Sequence, residues 1–372
     1  MFCISADSHI TEPPGTYVDF IDPAFRDRAP RLEHIDDVGD CFLIEGVKVP
    51  IPMGLVAAAG KPAEEIRVMG VRFEDMHRGG WEPTARLADQ DRDGVAAEII
   101  YPTVGMVLCN HPDADFKRAC FQAYNRWLAE FCETAPQRLL GIGQTALRSP
   151  AEGAADLAEI AAAGFRGAML PGNAPYEHDY DHPAWDPLWE AAIELEMPLS
   201  FHILTGAQDS LGTHKSRGPK LNTFLSIIRG CQDIMGTLVF GGVFERHPDL
   251  RVVCVEADAG WVPHYMYRMD HAFKRHRHWL TGTELSRLPS EYFSENIYVT
   301  FQDDWAAFQV AHLMNTERLM WANDFPHSDS TWPWSQELLV EHTAHLSDAD
   351  RDRILHANVA ALYQLDVAAL AA

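Results

Sequence analysis

The sequence predicts a (β/α)8 TIM barrel of the α/β class. Three observations carry this: eight apolar strand-like runs, helical stretches between them, and polar residues at the ends of several runs. The runs are short and close to continuously apolar, which is how a parallel strand covered on both faces reads. A doubly wound open sheet shares the alternation, but the eightfold count and the length of 372 residues favour the closed barrel. The expected organisation is a single metal-dependent barrel domain over 1–372, with 11–93 a cap inserted in it.

In chain order the first run is 2–10 (FCISADSHI), where Asp7 and His9 alternate onto one strand face. Three more follow at 94–103 (GVAAEIIYPT), 139–147 (LLGIGQTAL) and 165–172 (FRGAMLPG). The second half repeats the pattern at 197–204 (MPLSFHIL), 250–258 (LRVVCVEAD), 296–303 (NIYVTFQD) and 318–325 (RLMWANDF). Helical patterns lie at 115–135, 151–164, 186–196 and 339–363. Long connections at 11–93, 205–230 and 259–295 follow the first, fifth and sixth runs, and are read as cap insertions that build a substrate site.

Composition narrows the function. The 54 acidic side chains against 30 Lys and Arg give a net charge of −24, which argues against nucleic acid and anionic lipid as partners. No run is long enough to span a bilayer. The seven scattered cysteines include no C-x-x-C, so a reduced cytoplasmic setting is expected, with neither disulfide framework nor zinc knuckle.

Chemistry concentrates at the strand ends. The first run ends in Asp7 and His9, the fifth in His202, the sixth in Glu256 and Asp258, the seventh in Gln302, Asp303 and Asp304, and the eighth in Asp324. Carboxyl ends of barrel strands share one mouth, so imidazoles and carboxylates from four of them point to a metal site.

These residues also carry a resemblance. D-S-H-I-T-E-P at 7–13, F-H at 201–202, GGVFERHPDLRVV at 241–253 and W-A-N-D-F-P-H at 321–327 resemble the second amidohydrolase family. That family includes aminocarboxymuconate-semialdehyde decarboxylase and related barrel hydrolases and decarboxylases. The resemblance runs from Asp7 to near Tyr363 and implies a ligand set. Asp7 and His9 stand at the family's H-x-H pair, His202 at its fifth-strand metal histidine, and Asp324 at its eighth-strand aspartate. Two positions depart from the pattern. Asp7 replaces a histidine, and Glu256 stands where the decarboxylase branch has an H-G-G histidine that handles protons.

More carboxylates suit iron or manganese better than zinc, and five or six ligands suffice for two ions. His264, eight residues past Glu256, is a candidate third imidazole. The segment E-A-D-A-G-W-V-P-H-Y-M-Y-R-M-D, followed by Y-V-T-F-Q-D-D-W, resembles barrel-fold nonheme diiron monooxygenases. That implies two Fe ions, O2 as co-substrate, an external electron donor and hydroxylation of a bulky apolar acyl group carried as a CoA thioester. The alternative is a mononuclear hydrolase or decarboxylase with one Zn or Mn. Its metal would polarise a carbonyl or activate water, with Asp324 as general base. Asp324 and Glu256 are the catalytic candidates, Glu256 being the residue that discriminates the two readings, and a homo-oligomer is compatible with both.

Around this set, Asp258 is expected to accept from a ligating imidazole, Gln302 to face substrate, and His327 either to ligate or to hydrogen-bond. Glu12, before Pro13-Pro14, is read as structural. Lys274, Arg275 and Arg277 are either a solvated face or an anchor for CoA phosphates, with Lys215, Arg217 and Lys220 assisting.

Overall fold

The computed structural model describes residues 1–206, 218–280 and 282–370. Each predicted run contains a strand, numbered here β1 to β8 around the barrel. They are β1 Cys3–His9, β2 Val95–Tyr101, β3 Leu139–Gly141 continuing as Gly143–Gln144, and β4 Ala168–Leu170. The remainder are β5 Leu199–His202, β6 Val252–Val255, β7 Ile297–Phe301 and β8 Leu319–Trp321. Every neighbouring pair from β1 to β8 is parallel. The ring closes between β8 and β1, where Asp324 N–H donates to Asp7 O (3.1 Å) and His9 N–H to Phe325 O (2.7 Å). The fold is a TIM-barrel-like α/β fold.

Local chemistry explains the helices. Ser149 caps Pro150–Ala162 by accepting from Glu152 N–H, with Pro150 in the first turn where its missing N–H costs nothing. Gly94, at φ 70°, closes the helix Pro83–Asp93 and turns the chain into β2. The predicted helix at 339–363 is broken instead. Ser335–His342 ends before Ser347, whose hydroxyl caps a new start at Asp348 by accepting from Asp350 N–H.

Segment 11–93 holds a small antiparallel sheet of Arg31–Ile35, Gly39–Leu43 and Ile51–Pro52. It reaches the carboxyl ends of β1 and β8 through Thr11 N–H to Gly80 O (2.9 Å) and Ala59 N–H to Pro326 O (3.0 Å). The connection after β5 falls partly at 207–217, so Lys215 and Arg217 lie outside the described residues. No described helix is long and apolar enough to cross a membrane.

A buried arginine ties the β8–β1 seam together. Arg86, fully buried on the helix Pro83–Asp93, pairs through Nε with Glu98 of β2. Its Nη1 donates to His9 O (2.8 Å) and its Nη2 to Phe325 O (3.3 Å), while the guanidinium lies 4.6 Å from the Phe325 ring. Glu98 also accepts from Gln90 Nε2 (2.9 Å) and Asn323 Nδ2 (3.3 Å). One guanidinium thus holds the backbones that carry His9 and Asp324. Removing one partner of a buried pair strands the other charge, so Arg86→Met is expected to cost about 3–5 kcal/mol in urea unfolding. The double variant Arg86→Met/Glu98→Gln should recover part of that loss.

Candidate metal centre

Strand parity sets up the site. In β1 the side chains of Ser5, Asp7 and His9 share one face, and all three are buried. His202 ends β5, while Glu256 and Asp324 lie just beyond β6 and β8. Both of these, with Asp258, adopt left-handed backbone (φ 55°, 52° and 55°), a conformation that costs a non-glycine residue energy. The turns are held in place: Glu256 N–H donates to Thr300 Oγ1 (2.8 Å), and Asp324 N–H reaches Asp7 O.

Six side chains converge. His9 Nε2 is 3.2 Å from His202 Nε2, 3.6 Å from Asp7 Oδ1, 3.5 Å from Glu256 Oε2 and 3.4 Å from Asp324 Oδ1. His202 Nε2 lies 3.7 Å from Asp7 Oδ1 and 3.3 Å from Glu256 Oε2, and His327 Nδ1 lies 3.3 Å from Asp324 Oδ1. They form two overlapping groups, Asp7, His9, His202, Glu256 and His9, Glu256, Asp324, His327.

The imidazoles are oriented from behind. His9 Nδ1–H donates to Pro102 O (2.9 Å) and His202 Nδ1–H to Ile203 O (3.0 Å), so each turns Nε2 inward as a lone pair. Thr103 spends its own proton on Ile10 O (2.6 Å), so its oxygen accepts from His327 Nε2–H (3.0 Å). This assignment rests on the hydrogen-bond network and leaves Nδ1 of His327 as the lone pair facing Asp324. His9 and His327 stack with centroids 3.8 Å apart at 20°.

The electrostatics call for a cation. Both carboxylate oxygens of Asp7 and of Asp324, and Oε2 of Glu256, are buried without a hydrogen-bond partner. Burial raises the Asp7 carboxyl against the opposing His202, and raises Asp324 well above its ordinary value with help from Glu256, Asp7 and Asp329. Burial also pushes Glu256 up to about 8, with His202 opposing and Asp7, Asp329 and Asp258 adding to it. Burial holds His9 well below its usual value, then His327 and His202 add to it, and lowers His327 to about 3. For His202 the charges of Asp7 and Glu256 outweigh burial and raise it. Donor atoms 3.2–3.7 Å apart match tetrahedral ligands about 2.1 Å from one ion. The residues therefore fit a divalent cation, which would satisfy the orphaned oxygens and reverse the repulsion.

Other expected residues lie elsewhere. His264 is exposed in the first turn of the helix Val262–His276 and belongs to neither group, because its side chain is on the solvent side of that helix. Asp258 is exposed, and the back-bonds expected of it come from Pro102 O, Ile203 O and Thr103 Oγ1. Gln302 is buried beside Asp329. Lys274, Arg275 and Arg277 cluster at the far end of Val262–His276, about 20 Å from its start at the barrel mouth. Lys274 pairs with Asp270 and Arg277 covers Phe273, so this stretch does not build an anchor at the centre. Pro102 and Thr103 act through a carbonyl and a hydroxyl oxygen rather than as acid or imidazole, and the Y-P-T closing the second run is their signal in the sequence.

Comparison with known proteins now places the chain. The amidohydrolase family matches residues 7–365, and the chain belongs to that family. It is 26% identical over 263 residues to γ-resorcylate decarboxylase of Rhodococcus jostii (strain RHA1), covering 65% of this chain and 75% of that protein. It shares its fold with an amidohydrolase of Mycobacterium avium subsp. paratuberculosis (TM-score 0.80, 18% identity, 97% and 99% of the two chains). It also shares it with 5-carboxyvanillate decarboxylase of Novosphingobium aromaticivorans, solved with manganese and 4-hydroxy-3-methoxy-5-nitrobenzoic acid (TM-score 0.63, 23% identity, 75% and 79%).

These findings correct the oxygenase expectation. Three relatives at 23–26% identity are decarboxylases, which favours the alternative over the diiron monooxygenase, and neither oxidoreductase chemistry nor two irons with O2 is supported. Nothing supports the CoA carrier or the electron donor.

The raised carboxyls predict a pH dependence. An acid whose pKa rises on folding contributes stability that is full below its unfolded value and is lost as pH climbs through its folded value. In chelator-treated protein the urea midpoint is expected to fall from pH 7 to 9, above the ordinary imidazole range, as Glu256 ionises near pH 8. Glu256→Gln should flatten that slope, and a midpoint independent of pH would contradict it.

Proposed function

We propose that this chain is a metal-dependent decarboxylase of a small hydroxylated aromatic carboxylic acid. The observation that carries the reading is the buried set of partnerless carboxylates and inward-facing imidazoles in a chain similar to γ-resorcylate and 5-carboxyvanillate decarboxylases. Asp7, His9, His202 and Glu256 would hold a single divalent cation, manganese being the one bound by a similar fold, with Asp324 and His327 beside it. Residues 11–93 would cap the mouth.

The cation, when bound, supplies positive charge that fixes the substrate's oxygens and stabilises charge developing on the ring. The rest falls to the chain. Asp324 lies at the centre of the barrel end, within 3.4 Å of His9 Nε2 and 3.3 Å of His327 Nδ1. As the carbon–carboxylate bond breaks, its electron pair stays on the ring carbon, CO2 leaves, and Asp324 delivers a proton to that carbon. His327, its Nε2–H fixed on Thr103, presents the Nδ1 lone pair that accepts from the protonated Asp324 carboxyl and orients it, and the proton Asp324 gives up is replaced from solvent once CO2 has left. Glu256, slightly exposed at the mouth, lies where the decarboxylase branch has a histidine, and this shifts proton handling here toward Asp324.

CO2 release from a panel of dihydroxy- and carboxy-substituted benzoates tests this, with and without added Mn2+. Release that needs the metal is expected, and oxygen uptake without CO2 would overturn the reading. Asp324→Asn is expected to lower kcat/KM by about 10²–10⁴-fold. Plasma emission analysis of wild-type protein loaded with Mn2+ and desalted is expected to give about one ion per chain.

A further inference from the structure

We propose that Glu12 is a positioning residue for the metal centre, holding in register the loop that orients both His9 and His327. It rests on the reading of that centre as a metal site, and the hydrogen bonds of Glu12 go to the loop and not to either imidazole.

Glu12 lies three residues past His9 and is fully buried. Its Oε1 accepts from Thr103 N–H (3.1 Å) and Gly105 N–H (3.2 Å). Both are donors at the start of the short helix Val104–Leu108, which a helix cannot satisfy from within. A carboxylate removed from water is costly, and these bonds offset the cost. They also fix the segment on which two imidazoles depend. Pro102 O accepts from His9 Nδ1–H and Thr103 Oγ1 from His327 Nε2–H, so consecutive residues of one loop set both ring orientations.

Pro102 has no N–H with which to join the strand ladder. Thr103 Oγ1–H to Ile10 O ties the loop back to the strand that carries His9 and Glu12. Gln144 also packs against Gly105, leaving no room for a Cβ there, and its Nε2 donates to Gly105 O (3.2 Å). The loop is therefore held by Gln144 at Gly105 O and by the Glu12 carboxylate at the Thr103 and Gly105 N–H groups. Without the carboxylate, two buried N–H groups lose their acceptor. His9 and His327, stacked on each other, would then turn together.

The test compares full-length wild type, Glu12→Ala and Glu12→Gln, stripped with chelator and titrated calorimetrically with Mn2+ alone. Glutamine keeps Oε1 as acceptor for both N–H groups, so it separates hydrogen-bond geometry from charge. Glu12→Ala is expected to weaken Mn2+ binding about 10–100-fold, as loss of a group behind a ligand does, with glutamine within about threefold of wild type. Nitrogen-15 spectra of the metal-free protein should show shifted His9 and His327 ring signals in the alanine variant alone.

Alanine binding Mn2+ as tightly as wild type, with unchanged ring signals, would overturn the proposal, as would a glutamine variant impaired as much as alanine. If Glu12→Ala does not fold, Glu12→Asp replaces it. Its carboxylate falls one methylene short, so it is expected to lose affinity about tenfold or more, and wild-type affinity in it would overturn the proposal. Failure of wild type itself to bind Mn2+ would instead refute the metal centre, a distinct result.

Discussion

Three carboxylates and three imidazoles share the dry carboxyl end of this barrel, and the rest of the site depends on how their charges are balanced. Buried acids repel one another and shed their charge unless something positive stands between them. Five carboxylate oxygens of Asp7, Glu256 and Asp324 have no hydrogen-bond partner, although most buried polar groups in native proteins do. Left-handed backbone at Glu256 and Asp324 adds to the energy stored here. These unpartnered oxygens and left-handed acidic residues coincide at the candidate centre.

Rigidity around the centre comes from groups that never enter it. Arg86 bridges the backbones of His9 and Phe325, so the β8–β1 seam cannot spread without breaking a buried ion pair. Pro102 O, Ile203 O and Thr103 Oγ1 take the outer nitrogens of the imidazoles and thereby choose which nitrogen faces inward. The ligand geometry is thus a property of the barrel's main chain as much as of its side chains.

The strands were readable because a parallel strand covered on both faces leaves an apolar run, and all eight were found that way. Asp7, His9, His202, Glu256 and Asp324 were readable because strand ends in a barrel converge. His327 was harder, since it lies in a turn after Pro326 where periodicity says nothing about direction. His264 failed for a related reason: a histidine in the first turn of a helix faces in or out according to a rotation that spacing from Glu256 does not set. The oxygenase resemblance is carried by residues 256–270 and 298–305, yet most of the first segment builds the helix Val262–His276, and of both segments only Glu256 belongs to the clustered groups.

The most direct test of the account is a crystal grown with Mn2+ and examined for anomalous scattering. A peak bonded to His9 Nε2, His202 Nε2 and at least one oxygen of Asp7, Glu256 or Asp324 is the predicted result. Manganese bound only elsewhere on the protein, with these side chains as close to one another as they are here, would contradict it.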